Sequence, residues 1–140
     1  MATSMIRAAS HLVLATGDVP AITRFVAEAF GLTPAFENDM FSEFVLPSRF
    51  RIAFFKPVGP SAQSFDETAS RRAGAVGLTV QDVDATFARL DTMHGAFAHH
   101  LSGPPKEHPW GEKSFLLTDP DGNRWEITQA SSSDGLLVDR

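Results

Sequence analysis

Two stretches of the chain decide its fold: residues 11–31, HLVLATGDVPAITRFVAEAFG, and residues 75–95, AVGLTVQDVDATFARLDTMHG. A shift of 64 positions superimposes them. The identical pairs are Leu14 and Leu78, Asp18 and Asp82, Val19 and Val83, Ala21 and Ala85, and Gly31 and Gly95. An internal repeat fixes the architecture, because each copy must fold as the same supersecondary unit. The chain therefore contains one structural module twice.

Each copy begins with a strand and continues as a helix. Residues 12–16 and 76–80 are apolar or alternating runs that predict strands. The aspartate that follows each run, Asp18 or Asp82, is typical of a helix N-cap. Apolar residues then recur at helical spacing, and the glycine at 31 or 95 occupies the position where a helix ends with positive φ.

The rest of each copy predicts further strands. Strands are expected at 33–37, 41–46 and 50–56 in the first copy, and at 97–101, 114–118 and 124–128 in the second. The fold class is α+β, with two tandem βαβββ modules forming a curved mixed sheet. The predicted single domain, 1–140, divides into a first module at 8–57, a linker or flap at 58–72, a second module at 73–130 and a tail at 131–140.

Side chains alternate along each strand and so separate into two faces. The predicted helix-facing positions are large and aliphatic, as at Leu12 and Leu14. The opposite positions are small or polar, as at Gly77 and Thr79, which suits a cavity wall. Two such sheets, side by side or shared between subunits, would form a trough that binds a small molecule.

Composition narrows the classes of function. The formal charge is −5, without the clustered Lys and Arg that phosphate binding needs, so no nucleic-acid partner is expected. The acidic balance would suit a basic ligand. Without cysteine, thiolate metal ligands and a cysteine nucleophile are excluded. The apolar stretch at 11–15 is too short for a signal or membrane segment, so we expect a cytoplasmic protein with no membrane partner.

Several motifs of the chain are shared with a known family. They are His11 followed by Asp18, the helix ending at Gly31, and the residues 109–111 and 115–126, which include DPDGNRWE. In these motifs the sequence resembles the vicinal oxygen chelate superfamily, which includes glyoxalase I, extradiol dioxygenases and bleomycin-resistance proteins. It covers about residues 10–129. It implies paired βαβββ modules, usually in a homodimer whose sheets close around the ligand.

Enzymes of that superfamily hold a divalent metal with His or Glu from matching strands. Here His11 and Glu126 fall at two of the four positions. The repeat places Ala75 opposite His11 in the alignment and Ala53 opposite Glu126, and alanine cannot bind a metal. A catalytic metal generally needs three protein ligands. We therefore expect no cofactor, with an incomplete divalent-metal site at His11 and Glu126 as the alternative. The spacing of His99, His100 and His108 matches no metal motif.

The candidate ligand-binding residues are His11, Arg51, Phe55, Trp110 and Glu126. Each has a simpler interpretation: a hydrogen-bonded neutral imidazole for His11, sheet packing for Phe55, a loop anchor for Trp110, and an ion pair with Arg51 or Arg124 for Glu126. His11 and Glu126 are also the candidate catalytic residues, with Glu126 as general base if it is unpaired.

Three functional hypotheses follow. The first is a metal-independent small-molecule-binding protein that sequesters a drug or metabolite as a homodimer. The second is a divalent-metal-dependent lyase, isomerase or dioxygenase that uses His11 and Glu126. The third is an interaction domain that has lost its ligand.

Overall fold

A computed structural model describes residues 4–65, 74–93 and 97–130. The elements in these ranges are, in chain order, β1 (His11–Ala15), α1 (Val19–Phe30), β2 (Phe36–Glu37), β3 (Phe41–Val45), β4 (Arg51–Phe55), α2 (Ser61–Ser64), β5 (Val76–Val80), α3 (Val83–Asp91), β6 (His100–Leu101), β7 (Lys106–Glu107), β8 (Lys113–Thr118) and β9 (Arg124–Gln129). The expected α+β class is confirmed, and each module has the order βαβββ, with β7 as an additional short strand in the second module.

The strands form two mixed sheets, one in each module. The first sheet has the order β1-β4-β3-β2, and the second has the order β5-β9-β8-β6, with β7 also paired to β8. In each sheet the first strand of the module runs parallel to the last, and the described pairs with the third strand are antiparallel. The short strand β7 and the helix α2 were not predicted from the sequence.

The two sheets pair their strands in the same register. Leu12 lies opposite Ile52 in the first sheet, and Val76 lies opposite Trp125 in the second. The pairing of Phe41 with Phe55 corresponds in the same way to that of Ser114 with Thr128. The modules are therefore equivalent residue by residue, at an offset of 64 for the first strand and 73 for the last two.

Both long helices begin at the predicted caps. The Oδ1 atom of Asp18 accepts a hydrogen bond from the Ala21 N–H at 3.0 Å, and Asp82 does the same for Ala85 at 3.0 Å. Helix α1 ends at Gly31, whose φ of 65° is the left-handed conformation that glycine adopts at least cost. The equivalent Gly95 lies outside the described residues.

A single hydrophobic core joins the modules. It contains the inner faces of both sheets together with the apolar sides of α1 and α3. Phe25 of α1 contacts Phe97 with ring centroids 5.4 Å apart, and Phe30 contacts Trp125 at 6.2 Å. The guanidinium of Arg89 on α3 donates two hydrogen bonds to the Glu28 carbonyl oxygen near the end of α1. The opposite face of each sheet is therefore left at the surface of the chain.

The predicted linker at 58–72 is described as far as residue 65, and the predicted tail at 131–140 lies outside the described residues. Phe65, after α2, packs on Phe55 of β4 with centroids 4.8 Å apart. Phe65, at the end of the described part of the linker, therefore lies against the first sheet. Among the described helices, none has the length and apolar character needed to cross a membrane.

Candidate functional site

The face of each sheet that turns away from the core carries the candidate residues. We call the face of the first sheet the first outer face; it consists of His11, Val13, Ala15, Phe41, Glu43, Val45, Arg51, Ala53 and Phe55. The second outer face consists of Gly77, Thr79, Ser114, Leu116, Thr118, Arg124, Glu126 and Thr128. Alternation along the strands defines both sets, because most of the residues between them belong to the core or pack against it.

A polar cluster occupies one end of the first outer face. His11 lies directly opposite Arg51, and Glu43 lies opposite Ala53, two residues further along β4. The guanidinium of Arg51 donates one hydrogen bond to Glu43 Oε2 at 3.3 Å and another to His11 Nδ1 at 3.3 Å. The hydroxyl of Ser10 lies 2.7 Å from the same nitrogen. The expected hydrogen-bonded imidazole of His11 is therefore present.

Aromatic side chains occupy the other end of the first outer face. Phe41 and Phe55 lie opposite each other on β3 and β4. Phe36 of the edge strand contacts Phe41 with centroids 6.0 Å apart, and Phe65 contacts Phe55 edge to face. Phe36 is 52% exposed and Phe65 is 43% exposed. These four residues, which we call the phenylalanine cluster, leave a large apolar surface in contact with water.

Between these ends, the centre of the first outer face is formed by a small, buried side chain. Ala53 is only 2% exposed although it belongs to this face. It lies between Val13 on β1 and Glu43 on β3. A ligand on this face would therefore contact the surrounding side chains of the polar cluster and the phenylalanine cluster.

The second outer face presents Glu126 as an exposed carboxylate. Glu126 lies between Gly77 on β5 and Leu116 on β8, neither of which carries a charge. The alternative interpretation, an ion pair of Glu126 with Arg51 or Arg124, is not found within the described residues, and Arg51 binds Glu43 instead. This carboxylate is therefore available to a ligand or to a second protein chain.

Trp110 forms one border of the second outer face. Its indole stacks on the ring of His108, with centroids 4.5 Å apart and planes 3° from parallel. His108 Nε2 lies 2.7 Å from the hydroxyl of Ser114, a buried residue of this face. Trp110 is nevertheless 66% exposed, so one face of the indole is anchored and the other is open to solvent.

The strand register shows which positions of the two sheets are equivalent. His11 lies opposite Arg51, and the same offsets place Ala75 level with Arg124, one residue before β5. They also place Ala53 at the position that Glu126 has in the second sheet. The two alanines thus occupy the positions where the resemblance implies ligands.

The residues present do not fit a metal centre within one chain. The described ranges contain no group of three or more His, Asp or Glu side chains arranged to hold an ion. The Nδ1 atom of His11 faces a guanidinium, which can only donate hydrogen bonds and repels a second cation. His99 bonds to the carbonyl oxygens of Phe97 and Leu90, and His108 bonds to Ser114, so neither completes a site.

The closing motif at residues 119–125 has a structural role. The carboxylate of Asp119 is buried and accepts hydrogen bonds from the backbone N–H groups of Asp121 and Asn123. It also accepts from Asn123 Nδ2 at 3.0 Å and from the indole Nε1 of Trp125 at 2.9 Å. The motif that carries most of the family resemblance therefore shapes the β8–β9 turn and fixes a core tryptophan.

Sequence reasoning missed some members of the site. Glu43 was not among the candidates, although it lies two residues from Phe41 on β3 and the alternation of side chains places both on the same face. Phe41 and Phe44 lie at positions of opposite parity on β3, and Phe41 is the one on the outer face because Phe44 is in the core. Phe65 had no periodic signal because it follows a helix of only four residues.

Solved structures share this architecture. A glyoxalase-related enzyme from Fulvimarina pelagi is 25% identical, with a TM-score of 0.70 over 89% of each chain. Lactoylglutathione lyase from Agrobacterium tumefaciens is 20% identical, with a TM-score of 0.62 over 88% of this chain and 93% of that one. The fosfomycin resistance protein FosX from Listeria monocytogenes is 19% identical, with a TM-score of 0.66 over 93% and 98%.

No curated protein matches the chain significantly in sequence. The model of the Glyoxalase/Bleomycin resistance protein/Dioxygenase superfamily matches residues 8–127, which include both modules and nearly all of both outer faces. This range agrees with the repeated βαβββ order and with the equal registers of the two sheets. The chain belongs to the glyoxalase/bleomycin resistance/dioxygenase superfamily.

Proposed function

We propose that the chain binds a small molecule without a metal. The observation that carries this proposal is the hydrogen bond from the Arg51 guanidinium to His11 Nδ1. At the position where the resemblance implies a metal ligand, the imidazole lies beside a guanidinium, whose positive charge would repel a metal ion. Alanine at 53 and 75 removes two further ligands, so two of the four positions lack any group that could hold an ion.

The proposed site is completed by a second copy of the chain. The two modules of one chain share a core through their inner faces, so closing an outer face requires another molecule. Both outer faces expose apolar side chains, among them Val45 and Leu116. Exposed apolar patches on soluble proteins commonly mark interaction sites. In the proposed homodimer, the first outer face of one protomer closes against the second outer face of its partner.

Each candidate residue has a role in the proposed trough. Phe55 and the open face of Trp110 form apolar walls, and the indole can stack on a flat ligand. His11 and Arg51 bind polar atoms of the ligand from one wall, and Glu126 does so from the other. Sequestration of a drug or metabolite in the cytoplasm is the activity that such a site would support, in line with the resistance proteins of the superfamily.

Metal analysis tests the central claim. The purified chain is dialysed against Mn²⁺, Fe²⁺, Ni²⁺ or Zn²⁺, passed through a desalting column and analysed for bound metal. We expect less than about 0.1 ion per chain, because two ligands bind an ion only weakly. One retained ion per chain that is lost in Glu126→Ala would overturn the proposal and favour a metal-dependent enzyme instead.

Sedimentation analysis tests the dimer. The wild-type chain is expected to sediment at twice its chain mass, and Leu116→Glu at its chain mass, because a carboxylate would be buried in the interface. Ala88→Glu, on the exposed side of α3, is the matched control and should remain dimeric. A monomeric wild type at concentrations of about 0.1 mM would exclude a shared trough.

A further inference from the structure

The side chain of Arg51 has donors left after its contacts in the polar cluster. A guanidinium carries five N–H donors. One is directed to Glu43 Oε2 and one to His11 Nδ1, which leaves three. The Arg51 side chain is also 43% exposed, compared with 22% for Glu43. Arg51 is therefore held in position by its neighbours and can still bind another acceptor.

The imidazole of His11 lies directly beside this guanidinium. Its Nδ1 atom is 3.3 Å from a nitrogen of Arg51 and 2.7 Å from the hydroxyl of Ser10. The remaining donors of Arg51 and the exposed imidazole ring are therefore neighbours at this end of the first outer face. A guanidinium with free donors suits an anionic oxygen group.

The phenylalanine cluster begins close to these donors. Phe36 lies opposite Glu43, which in turn lies opposite Ala53. Ala53 is two residues from Arg51, a distance of about 7 Å along a strand. Phe41 and Phe55, which lie two residues beyond Glu43 and Ala53 on β3 and β4, extend the apolar surface. A ligand with an anionic group at one end and an aromatic body of one or two rings would place the anion at Arg51 and the rings on the phenylalanine cluster.

We infer that Arg51 takes the place of the metal as the cationic group of this site, and that the ligand is an apolar, aromatic carboxylate or a similar oxyanion. This inference rests on the proposed function, since it names the ligand class of the same trough. The net charge of −5 favours cations at long range, but a contact at hydrogen-bond distance is governed by the nearest charges. Within the described residues, Oε2 of Glu43 is already bound by Arg51, so a cationic ligand at this carboxylate would lie beside the guanidinium that repels it.

Calorimetric titration of the full chain with three matched probes tests the inference. The probes are 2-naphthoate, the neutral 2-naphthamide and the cationic 2-naphthylmethylammonium, which share one aromatic body. We expect 2-naphthoate to bind about tenfold more tightly than either of the others, because only it forms a charge-assisted pair with Arg51. In Arg51→Met this preference should disappear, while the affinity for 2-naphthamide changes by less than about twofold.

Two further variants separate the role of Arg51 from that of charge in general. Arg49→Met removes the same charge from the exposed turn before β4 and should keep the preference for 2-naphthoate. Glu43→Gln removes the carboxylate that competes for Arg51 and should tighten 2-naphthoate binding several-fold. Circular dichroism and the melting temperature of Arg51→Met establish that this variant is folded.

The outcomes distinguish this inference from the function on which it rests. Equal binding of 2-naphthoate and 2-naphthamide, or an unchanged preference in Arg51→Met, would overturn the role of Arg51 and leave a metal-independent small-molecule site in place. If the ammonium probe bound most tightly and this binding were lost in Glu43→Gln, the ligand would be a cation and not an anion. Absence of binding by all three probes would overturn both proposals.

Discussion

The two sheets pair their strands in the same register, yet their outer faces differ in almost every side chain. The first carries Arg51 bonded to Glu43 and His11, next to the phenylalanine cluster. The second carries an exposed Glu126 between uncharged neighbours. The inner faces are much more alike, because Ile52 and Trp125 occupy equivalent buried positions. The shared core constrains the inner side chains, whereas the outer side chains can differ between the modules without disturbing that core.

The two tryptophans provide the strongest test of this contrast. Trp125→Ala should lower the free energy of unfolding by about 3–5 kcal/mol, since it removes a fully buried side chain from the shared core. Trp110→Ala should lower it by less than about 1 kcal/mol, because only the stack on His108 is lost. Urea unfolding followed by circular dichroism measures both. Two separate transitions in either protein would contradict a single core.

The second-largest difference in stability is expected between variants in the turns of the two hairpins. Asp119→Ala should cost on the order of 3 kcal/mol, because it leaves buried donors of Asn123 and Trp125 without an acceptor. Ser48→Ala, in the exposed turn of the first hairpin, should change stability by less than about 0.5 kcal/mol. Thermal unfolding compares the two. Similar losses would show that the carboxylate does not hold the second turn.

The helix caps should show the smallest difference between modules. Asp18→Ala and Asp82→Ala each remove one hydrogen bond of 3.0 Å to a backbone N–H. Each should therefore cost about 1 kcal/mol. Chemical denaturation of both variants and of the double variant measures the two losses and their sum. A loss in one module only would indicate that the repeated aspartates are not equivalent.

The sequence predicted the elements that depend on local patterns. The shift of 64 located both long helices, and every predicted strand is present in some form, although the strands around 33–37 and 97–101 are shorter than expected. The alternation also placed His11, Arg51 and Phe55 on one face. Glu126 and Trp110 are at the other sheet, so bringing all five together depends on the proposed dimer.

The parts that sequence reasoning did not reach depend on contacts between distant segments. The alternative interpretation of Glu126 was an ion pair with Arg51 or Arg124, but the pairing of β3 with β4 brings Glu43 to Arg51 instead. The stack of Trp110 on His108 requires the tight turn at Gly111, whose φ of 97° is not encoded by any periodicity. The packing of Phe65 on Phe55 likewise joins a linker to a strand.

The hydrogen bonds of Arg51 set the order in which this chain could be engineered into a metalloenzyme. Introducing glutamate at Ala53 would place a second carboxylate directly opposite Glu43, which is already paired with the Arg51 guanidinium. The new carboxylate would form an ion pair with Arg51, and this pair would compete with metal binding. Replacement of Arg51 would therefore have to precede the addition of ligands at 53 and 75.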